Sequence, residues 1–419
     1  MNTSYSSFER AVARSLSHVP IVKKMAKAAY ARLIFLKFRQ GESLQTDYEI
    51  FAIGGGGDRF FGYYDKSPWN KDGSQLLYHS VLDSGGVSID VLDLPSKQAR
   101  QLAVTTAWNW QQGAMLQWLP GKSAIAFNLV AERQLACKVI DLENGREVLC
   151  PLPIQAVHPD GCHALSLNYR RLFDQDSEYG YRTPVNNFLS EQAMEEDGIW
   201  HFGIFDGEPR LILSLSQLAQ HLPKKEMRGA IHHVNHIMYS PSGNRFVFLH
   251  RWLAHRKKFS RLFVAQNSDA SQISLLMDDE MVSHYCWFDD DSLLVYGRTV
   301  ENGDRYYRVD VNSGRRESVG SGILGGFGDG HPSCSPDGRW VTVDTYPDRA
   351  RMRHLLIYDT QCDRLHRIAS FFAPWNFDGP NRVDLHPRWS PCGKMICVDS
   401  AHENRRDVYI VNVEKVVCS

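Results

Sequence analysis

Four histidines occupy the same place in four consecutive repeats of the sequence. Each stands four residues before the same turn position, and the set is His236, His284, His331 and His386. Equal offsets in equivalent strands bring side chains to one height, so we expect these imidazoles to converge. Because imidazole binds divalent metals and titrates near neutral pH, a converging set is typical of a metal centre or an acid–base cluster.

Carboxylate and thiol groups accompany these histidines. Asp384 stands two residues before His386, and alternation along a strand points both side chains to one face. Two thiols, Cys286 and Cys334, follow the second and third histidines closely. Imidazole with carboxylate and thiolate would suit zinc, whereas imidazole with carboxylate alone would suit manganese. The alternative to a metal site is a structural role, in which each histidine forms a hydrogen bond with the backbone of a neighbouring repeat.

A second group of candidate residues falls in or beside predicted loops, where binding residues of rigid scaffolds concentrate. Each could also be an ordinary surface residue. No Gly-x-Ser-x-Gly elbow occurs, and the glycine run at 54–57 is not followed by the lysine and hydroxyl of a phosphate loop. The sequence therefore does not favour a nucleophilic hydrolase. The group comprises His163, Tyr169, Arg171, Tyr181 and His233.

The elements that must hold these residues form a repeated all-β pattern. A strand, a Ser-Pro-x-Gly turn and an apolar strand recur at Ser240, Ser335 and Ser390. With weaker copies, the turn markers are spaced by 48, 40, 82, 48, 47 and 55 residues, which is the period of four-stranded blades. Seven markers predict an all-β, seven-bladed β-propeller over residues 46–419. The markers are Gly73, Gly121, Gly161, Gly243, Asp291, Gly338 and Gly393.

Two irregularities in the repeat carry further predictions. The long gap holds a polar segment near residues 170–198, which indicates an insertion in blade three. The last repeat shows only three strands, near 386–390, 395–399 and 407–413. Residues 47–53 should supply its fourth strand, because that pairing joins the two ends of the ring and covers an open sheet edge.

The bulk composition is that of an ordinary globular protein. The 419 residues carry 47 basic and 48 acidic side chains, a net charge of −1, so no global field favours nucleic acid and we predict no such partner. The nine cysteines are scattered and odd in number, which indicates reduced thiols in a cytoplasmic protein. Neither a secretion signal nor a run of 18 apolar residues occurs.

Residues 1–45 differ from the rest and predict a short basic, amphipathic helical arm. Residues 1–40 carry a net charge of +7, with apolar residues between the charges, and Pro20 should divide the segment into two helices. Such an arm could lie on an anionic membrane surface or on a protein partner, which would make the chain peripheral to the inner membrane. Alternatively, it packs on the propeller.

Several strings of the chain resemble the propeller polysaccharide lyases. They are GYYDKSPWN, NWQQGAMLQWLPG, HVNHIMYSPSGNRFVFLHR, SHYCW, DGHPSCSPDGRWVTVDTYPD and DLHPRWSPCGKMICVDS. The similarity covers about residues 48–415 and is nearer to the ulvan-lyase-like families than to oligogalacturonate lyase. It implies β-elimination at a uronic acid, which needs a group that neutralises the carboxylate, a base and an acid.

The resemblance also suggests roles for individual residues. It implies that Tyr169, Arg171 and Tyr181 act in catalysis and that His163 and His233 transfer protons. The metal-like positions match His284, His331 and His386, with Asp384 as a further ligand, and we add His236 from its register. The implied cofactor is a divalent metal, zinc or manganese, and the implied partner is an oligo- or polysaccharide.

Two departures from the family pattern leave two functions open. The stretch LVAERQLACKV after Asn128 lacks a histidine expected in the ulvan-lyase pattern, and the chain has no secretion signal. Both features fit a cytoplasmic relative that handles a glycan during surface-polysaccharide assembly. The first hypothesis is a metal-dependent lyase, and the second is a non-catalytic propeller that serves as a glycan-binding or scaffold module.

Overall fold

The strands of this chain are short and are joined by tight turns. A computed structural model describes residues 20–39, 41–182, 194–254, 257–266, 269–320 and 323–418. The strands in chain order are β1 Leu44–Thr46, β2 Ile50–Ala52, β3 Arg59–Phe60, β4 Gln75–Val81, β5 Val87–Asp93, β6 Gln98–Thr105, β7 Gln117–Trp118, β8 Ala124–Ala131, β9 Gln134–Asp141, β10 Glu147–Cys150, β11 Ala156–Val157, β12 His163–Ser166, β13 Gly198–Gly203, β14 Arg210–Ser214, β15 Ile231–Tyr239, β16 Arg245–Ala254, β17 Lys257–Gln266, β18 Gln272–Met277, β19 Val282–Trp287, β20 Ser292–Thr299, β21 Gly303–Asp310, β22 Arg316–Ser318, β23 Pro332–Cys334, β24 Trp340–Val343, β25 Met352–Asp359, β26 Arg364–Phe372, β27 Arg388–Trp389, β28 Met395–Ser400 and β29 Asp407–Asn412.

These strands form seven antiparallel sheets, which confirms the predicted seven-bladed β-propeller. Blades 1 to 5 take four consecutive strands each, from β3–β6 to β19–β22. Blade 6 contains β23–β26 with β1 at its outer edge, and blade 7 contains β27–β29 with β2 at its outer edge. Apolar side chains of adjacent sheets pack together, as Val264 of blade 4 does in one cluster with Val295 of blade 5. Burial between the sheets therefore stabilises the ring.

The predicted turns connect the first and second strands of each blade. Six of the seven markers are glycines with φ between +65° and +79°, the left-handed region that favours glycine. Because strands alternate in direction, these turns lie on one face of the ring, which we call the lower face. The loops that enter each innermost strand, and those between second and third strands, lie on the opposite, upper face.

Residues before the first blade close the ring as expected. Ile50–Ala52 pairs antiparallel with β29, with Phe51 opposite Ile410, which confirms the predicted closure from residues 47–53. The sequence did not predict that Leu44–Thr46 also pairs with β26 in blade 6. The chain therefore covers the outer edges of two blades before blade 1 begins.

The first helix, α1, spans Pro20–Phe38 and packs on blade 6. Its Phe35 ring lies 5.8 Å from Phe372 and 5.7 Å from Trp375, measured between ring centroids. Leu33 and Leu36 are 66% and 61% exposed, so apolar side chains occur on the packed and the exposed sides alike. Proline is tolerated in the first helical turn, and α1 begins at Pro20. Residues 1–19, where the first of the two expected helices would lie, are outside the described residues.

Three further α-helices in the described part of the chain are short: α2 Tyr169–Gln175, α3 Leu215–Gln220 and α4 Glu414–Val417. Helix α2 begins after Asn168, whose side chain accepts hydrogen bonds from the Arg170 and Arg171 amides. It lies between β12 and β13, which confirms the predicted insertion in blade three. Within the described part of the chain, we find no helix with the length and apolar character required to span a bilayer.

Candidate metal centre and upper-face cleft

The four repeated histidines lie in or just before the innermost strands, and the backbone around three of them is irregular. The register of β15 against β16 shifts around His236, and that of β19 against β20 shifts around His284. His236 and His386 have φ of +53° and +45°, which is uncommon for residues other than glycine. His331 immediately precedes β23. Such strained backbone clusters at functional sites, where the surrounding structure holds it in place.

Three of these imidazoles lie side by side near the axis of the propeller. The ring centroids of His284 and His331 are 4.1 Å apart, and those of His331 and His386 are 4.3 Å apart. The convergence expected from their equal offsets is therefore present in three adjacent blades.

Two tyrosines that the sequence analysis did not assign complete the cluster. The Tyr63 ring stacks on His236 with centroids 4.9 Å apart, and it lies 4.9 Å from His386. Tyr64 lies 5.2 Å from His331. Burial raises the pKa of both tyrosines well above the usual value, so they are neutral hydroxyl groups in the cluster.

Hydrogen bonds fix the orientation of His331 and His386. Nδ1 of His331 lies 2.9 Å from an oxygen of Asp344, and Nδ1 of His386 donates to the Gly62 carbonyl at 2.7 Å. The Asp344 carboxylate also accepts the backbone N–H of both histidines. Both Nε2 atoms are buried without a hydrogen-bond partner, which is costly unless they bind something else. An anchored Nδ1 with a free Nε2 is the arrangement of metal-ligating histidine.

Asp384 supplies a carboxylate beside these two rings. Its Oδ1 lies 2.7 Å from a guanidinium nitrogen of Arg353, and its Oδ2 accepts from Nε of Arg382 at 2.7 Å. Burial favours the neutral acid, but the two guanidinium groups outweigh it and hold the pKa of Asp384 well below its usual value. The group is therefore an ionised carboxylate at neutral pH.

The ligand atoms of His331, Asp384 and His386 all lie within 4.8 Å of one another. Among the described residues, this is the set of three or more histidine, cysteine, aspartate or glutamate side chains with that spacing. Two unpartnered imidazole nitrogens and a carboxylate fit manganese or zinc. The thiols of Cys286 and Cys334 lie 3.5 Å from each other, pack in the apolar cluster between blades 5 and 6, and do not belong to the set.

The other two predicted metal ligands face elsewhere. Nδ1 of His284 lies 3.0 Å from the Asp329 carboxylate, and its ring lines a cleft on the upper face. Nε2 of His236 lies 3.4 Å from the Tyr63 hydroxyl. Burial lowers the pKa of His236 well below 6.5 and also lowers that of His284, against the attraction of Asp329, so both rings are neutral. His236 and His284 therefore lie next to the metal-like set but do not belong to it.

Tyr169 and Tyr181 form a buried pair in the insertion of blade three. Their rings stack with centroids 4.4 Å apart. The Tyr169 hydroxyl donates to the Ile154 carbonyl at 2.8 Å, and the Tyr181 hydroxyl accepts from the Asn128 amide at 3.0 Å. Burial raises the pKa of both hydroxyl groups. These contacts join the insertion to blade 2.

The remaining three predicted catalytic residues have different surroundings. Arg171 donates through Nε to buried Asp197 at 2.5 Å. His163 is exposed on the lower face, where its Nδ1 lies 2.7 Å from Asp160, so the structure does not bring it to the upper-face cluster. His233 is 2% exposed and stands opposite Arg251 in the sheet, with no partner for either ring nitrogen.

The cleft above the histidine cluster has a volume of about 520 Å³ and a charged lining, with five basic and three acidic residues. Three of its lining residues also contact the cluster. Tyr179 lies 4.9 Å from His236, His284 lies 4.1 Å from His331, and Tyr346 lies 6.1 Å from His331, all between ring centroids. Burial raises the pKa of Tyr179 to about 12. The basic residues of the lining are Arg251, Lys257, Lys258, Arg298 and Arg382.

Comparison with known proteins supports the fold at the level of structure alone. No protein-family profile matches the chain, and no curated protein sequence matches it. An oligogalacturonate lyase solved in complex with manganese superposes with a TM-score of 0.65 at 14% identity, over 90% of this chain and 96% of that one. An oligogalacturonate lyase from Vibrio parahaemolyticus gives 0.61 at 14% identity, over 88% and 96%. The resemblance predicted from the sequence is thus confirmed for the propeller fold.

Proposed function

We propose that this protein is a metal-assisted lyase that cleaves a uronate-containing glycan by β-elimination. The observation that carries the proposal is the pair of unpartnered Nε2 atoms of His331 and His386 beneath a charged cleft. A fold shared with a lyase that binds manganese is consistent with it. A divalent metal held by these nitrogens and Asp384 would act as a Lewis acid towards negative charge that develops on the substrate carboxylate.

The cleft offers the other groups that the reaction needs. Arg251, Lys258 and Arg382 present positive charge that binds uronate carboxylates. His284 donates through Nδ1 to Asp329, so its neutral ring keeps Nε2 as a proton acceptor. Loss of the C5 proton to this base forms the C4–C5 double bond as the C4–O4 bond breaks. The leaving oxygen then takes a proton, for which the hydroxyl of Tyr179 or Tyr346 is available at the cleft.

Product formation tests this proposal. The unsaturated sugar absorbs at about 235 nm, so purified protein with manganese should generate that signal on at least one oligomer in a galacturonate, glucuronate, guluronate and mannuronate panel. His284→Gln should abolish the signal while the protein still binds metal. Absence of the signal on the whole panel, with metal bound, would contradict a lyase.

A second role, as a non-catalytic module held in the cytoplasm at a membrane surface, is favoured by one observation. Leu33 and Leu36 of α1 are exposed, and residues 1–40 carry a net charge of +7. Apolar and cationic side chains together attract an anionic bilayer. Under this proposal, full-length protein sediments with vesicles rich in phosphatidylglycerol, and protein that lacks residues 1–39 does not. Equal sedimentation of both proteins would contradict it.

A further inference from the structure

Two carboxylates from the blade-three insertion lie among the cations of the cleft. Asp176 directly follows helix α2, and Glu178 comes two residues later. Both residues line the cleft together with Arg251, Lys258 and Arg382. We call Asp176 and Glu178 the carboxylate pair.

Each member of the carboxylate pair contacts cations from a different part of the ring. Asp176 accepts from Nζ of Lys258 at 2.7 Å and lies 3.5 Å from a guanidinium nitrogen of Arg251, and both of these cations belong to blade 4. Glu178 accepts from Arg382, which lies in the loop that enters blade 7. The pair therefore contacts three of the five cations that line the cleft.

We infer that the carboxylate pair is a set of internal ligands for the cations that bind substrate, and that an oligouronide enters the cleft by displacing both carboxylates. The inference rests on the proposed function for the class of substrate. Its basis is the chemical identity of the groups, because a uronate offers the same carboxylate that Asp176 and Glu178 already present. Two separate carboxylates occupy the cations, so a ligand that carries at least two carboxylates can replace both at once, which favours oligouronides over single uronates.

The contacts of the pair are suited to exchange. Water reaches one member of each of these ion pairs, since the side chains of Lys258 and Glu178 are 45% and 29% exposed, whereas their partners Asp176 and Arg382 are 10% and 15% exposed. Arg382 stays in place when Glu178 leaves, because its Nε is bound by buried Asp384 at 2.7 Å. Before substrate binds, the carboxylate pair thus neutralises these cations and keeps them in position.

The alternative is that the pair only positions the cations, and the two possibilities predict opposite effects of neutralisation. The test is equilibrium binding of the full-length Asp176→Asn/Glu178→Gln variant to trimers of galacturonate, glucuronate, guluronate and mannuronate. Displaced ligands predict binding about threefold to tenfold tighter than wild type for at least one trimer, with no gain for a neutral galactose trimer. Asp174→Asn removes one negative charge from α2 outside the cleft, where Asp174 pairs with Arg170, and should leave affinity unchanged.

Each outcome separates this inference from the proposed lyase. Tighter binding without turnover supports the carboxylate pair and contradicts the lyase. Turnover with unchanged or weaker binding by the double variant overturns the inference and leaves the lyase standing. A gain equal to that of Asp174→Asn, or no trimer bound by either protein, also overturns it.

Discussion

Two pairs of neighbouring, buried histidines in this molecule differ in their hydrogen bonds. His232 and His250 lie in blade 4 with ring centroids 5.1 Å apart, and His331 and His386 lie at the axis with centroids 4.3 Å apart. Exposure does not distinguish the pairs, since all four residues are at most 2% exposed. What separates them is whether every ring nitrogen has a partner.

In blade 4 every ring nitrogen has a partner. Arg261 donates through Nε to Nδ1 of His250 at 3.1 Å, Nε2 of His250 donates to Nδ1 of His232 at 2.9 Å, and Nε2 of His232 faces the Met227 carbonyl at 3.3 Å. Because arginine can only donate, it fixes the tautomer of each ring in turn. This pair joins β15–β17 to the segment before blade 4 and is structural.

At the axis, by contrast, the Nε2 atoms of His331 and His386 are buried and have no hydrogen-bond partner. A folded protein rarely leaves such groups unsatisfied without a ligand to meet them. Clustering of buried histidines alone therefore does not distinguish the two pairs, whereas the unpartnered Nε2 atoms of His331 and His386 do, and these atoms support the proposed metal centre.

Metal affinity should separate the two pairs most strongly. His331→Ala or His386→Ala removes a proposed ligand and should weaken Mn²⁺ and Zn²⁺ binding by about a hundredfold or more. His250→Gln should change the affinity by less than twofold. Titration calorimetry on metal-free proteins, with circular dichroism to confirm folding, measures both effects. Similar losses in all three variants would remove the distinction between the pairs.

The residue that orients the axial pair should have the next largest effect. Asp344→Asn loses the carboxylate that bonds His331 and the backbone of His386, so metal affinity should fall about tenfold to a hundredfold. The matched control is Asp329→Asn, which orients His284 outside the metal-like set. This control should bind metal like wild type, and a comparable fall in its affinity would place His284 among the ligands.

The free energy of unfolding should show the opposite order, with the larger loss for a substitution in the blade-4 pair. His250→Ala leaves Arg261 and His232 without their buried partner and should lower the free energy of unfolding by about 2 kcal/mol or more. His386→Ala in metal-free protein removes a ring whose Nε2 makes no bond, so the loss should be less than half as large. Urea denaturation of both variants tests this. A larger loss for His386→Ala would contradict a functional role for its orientation.

The smallest expected effect is on the pH dependence of stability. Burial lowers the pKa of His232 and, more strongly, of His250 below the value of about 6.5 that applies to the unfolded chain. The native state then binds fewer protons, so stability is full above about pH 6.5 and declines as the pH falls below it. We expect a loss of less than about 1 kcal/mol per histidine between pH 7 and 6, reduced in His250→Gln but not in His163→Gln. A flat profile would contradict neutral buried rings.

Local sequence patterns predict the scaffold of this molecule well. Turn glycines such as Gly243 and Gly338 need no distant partner to act, so their spacing alone gives the blade number. The four-residue offset likewise brings His331 and His386 together, because equivalent strands share one geometry. The insertion and the closing strand follow from counting the same repeat.

The environment of each candidate could not be predicted in this way. Asp344 stands 13 residues from His331 and reaches it across a hairpin, and Tyr63 meets His236 across a separation of 173 residues. No short spacing signals such contacts. His163 entered the prediction by resemblance without a register argument, and its place at a turn puts it on the lower face. The position of a residue within a repeat predicts where its side chain lies, whereas similarity of a short sequence stretch to another family does not.

One measurement tests the account most directly: titration of metal-free, wild-type protein with Mn²⁺ and with Zn²⁺, followed by metal analysis after dialysis. We expect one equivalent of bound metal per chain for at least one of the two ions, and none in the His331→Ala/His386→Ala double variant. A wild-type protein that retains neither ion, or a double variant that retains a full equivalent, would contradict a metal centre at the axis of the propeller.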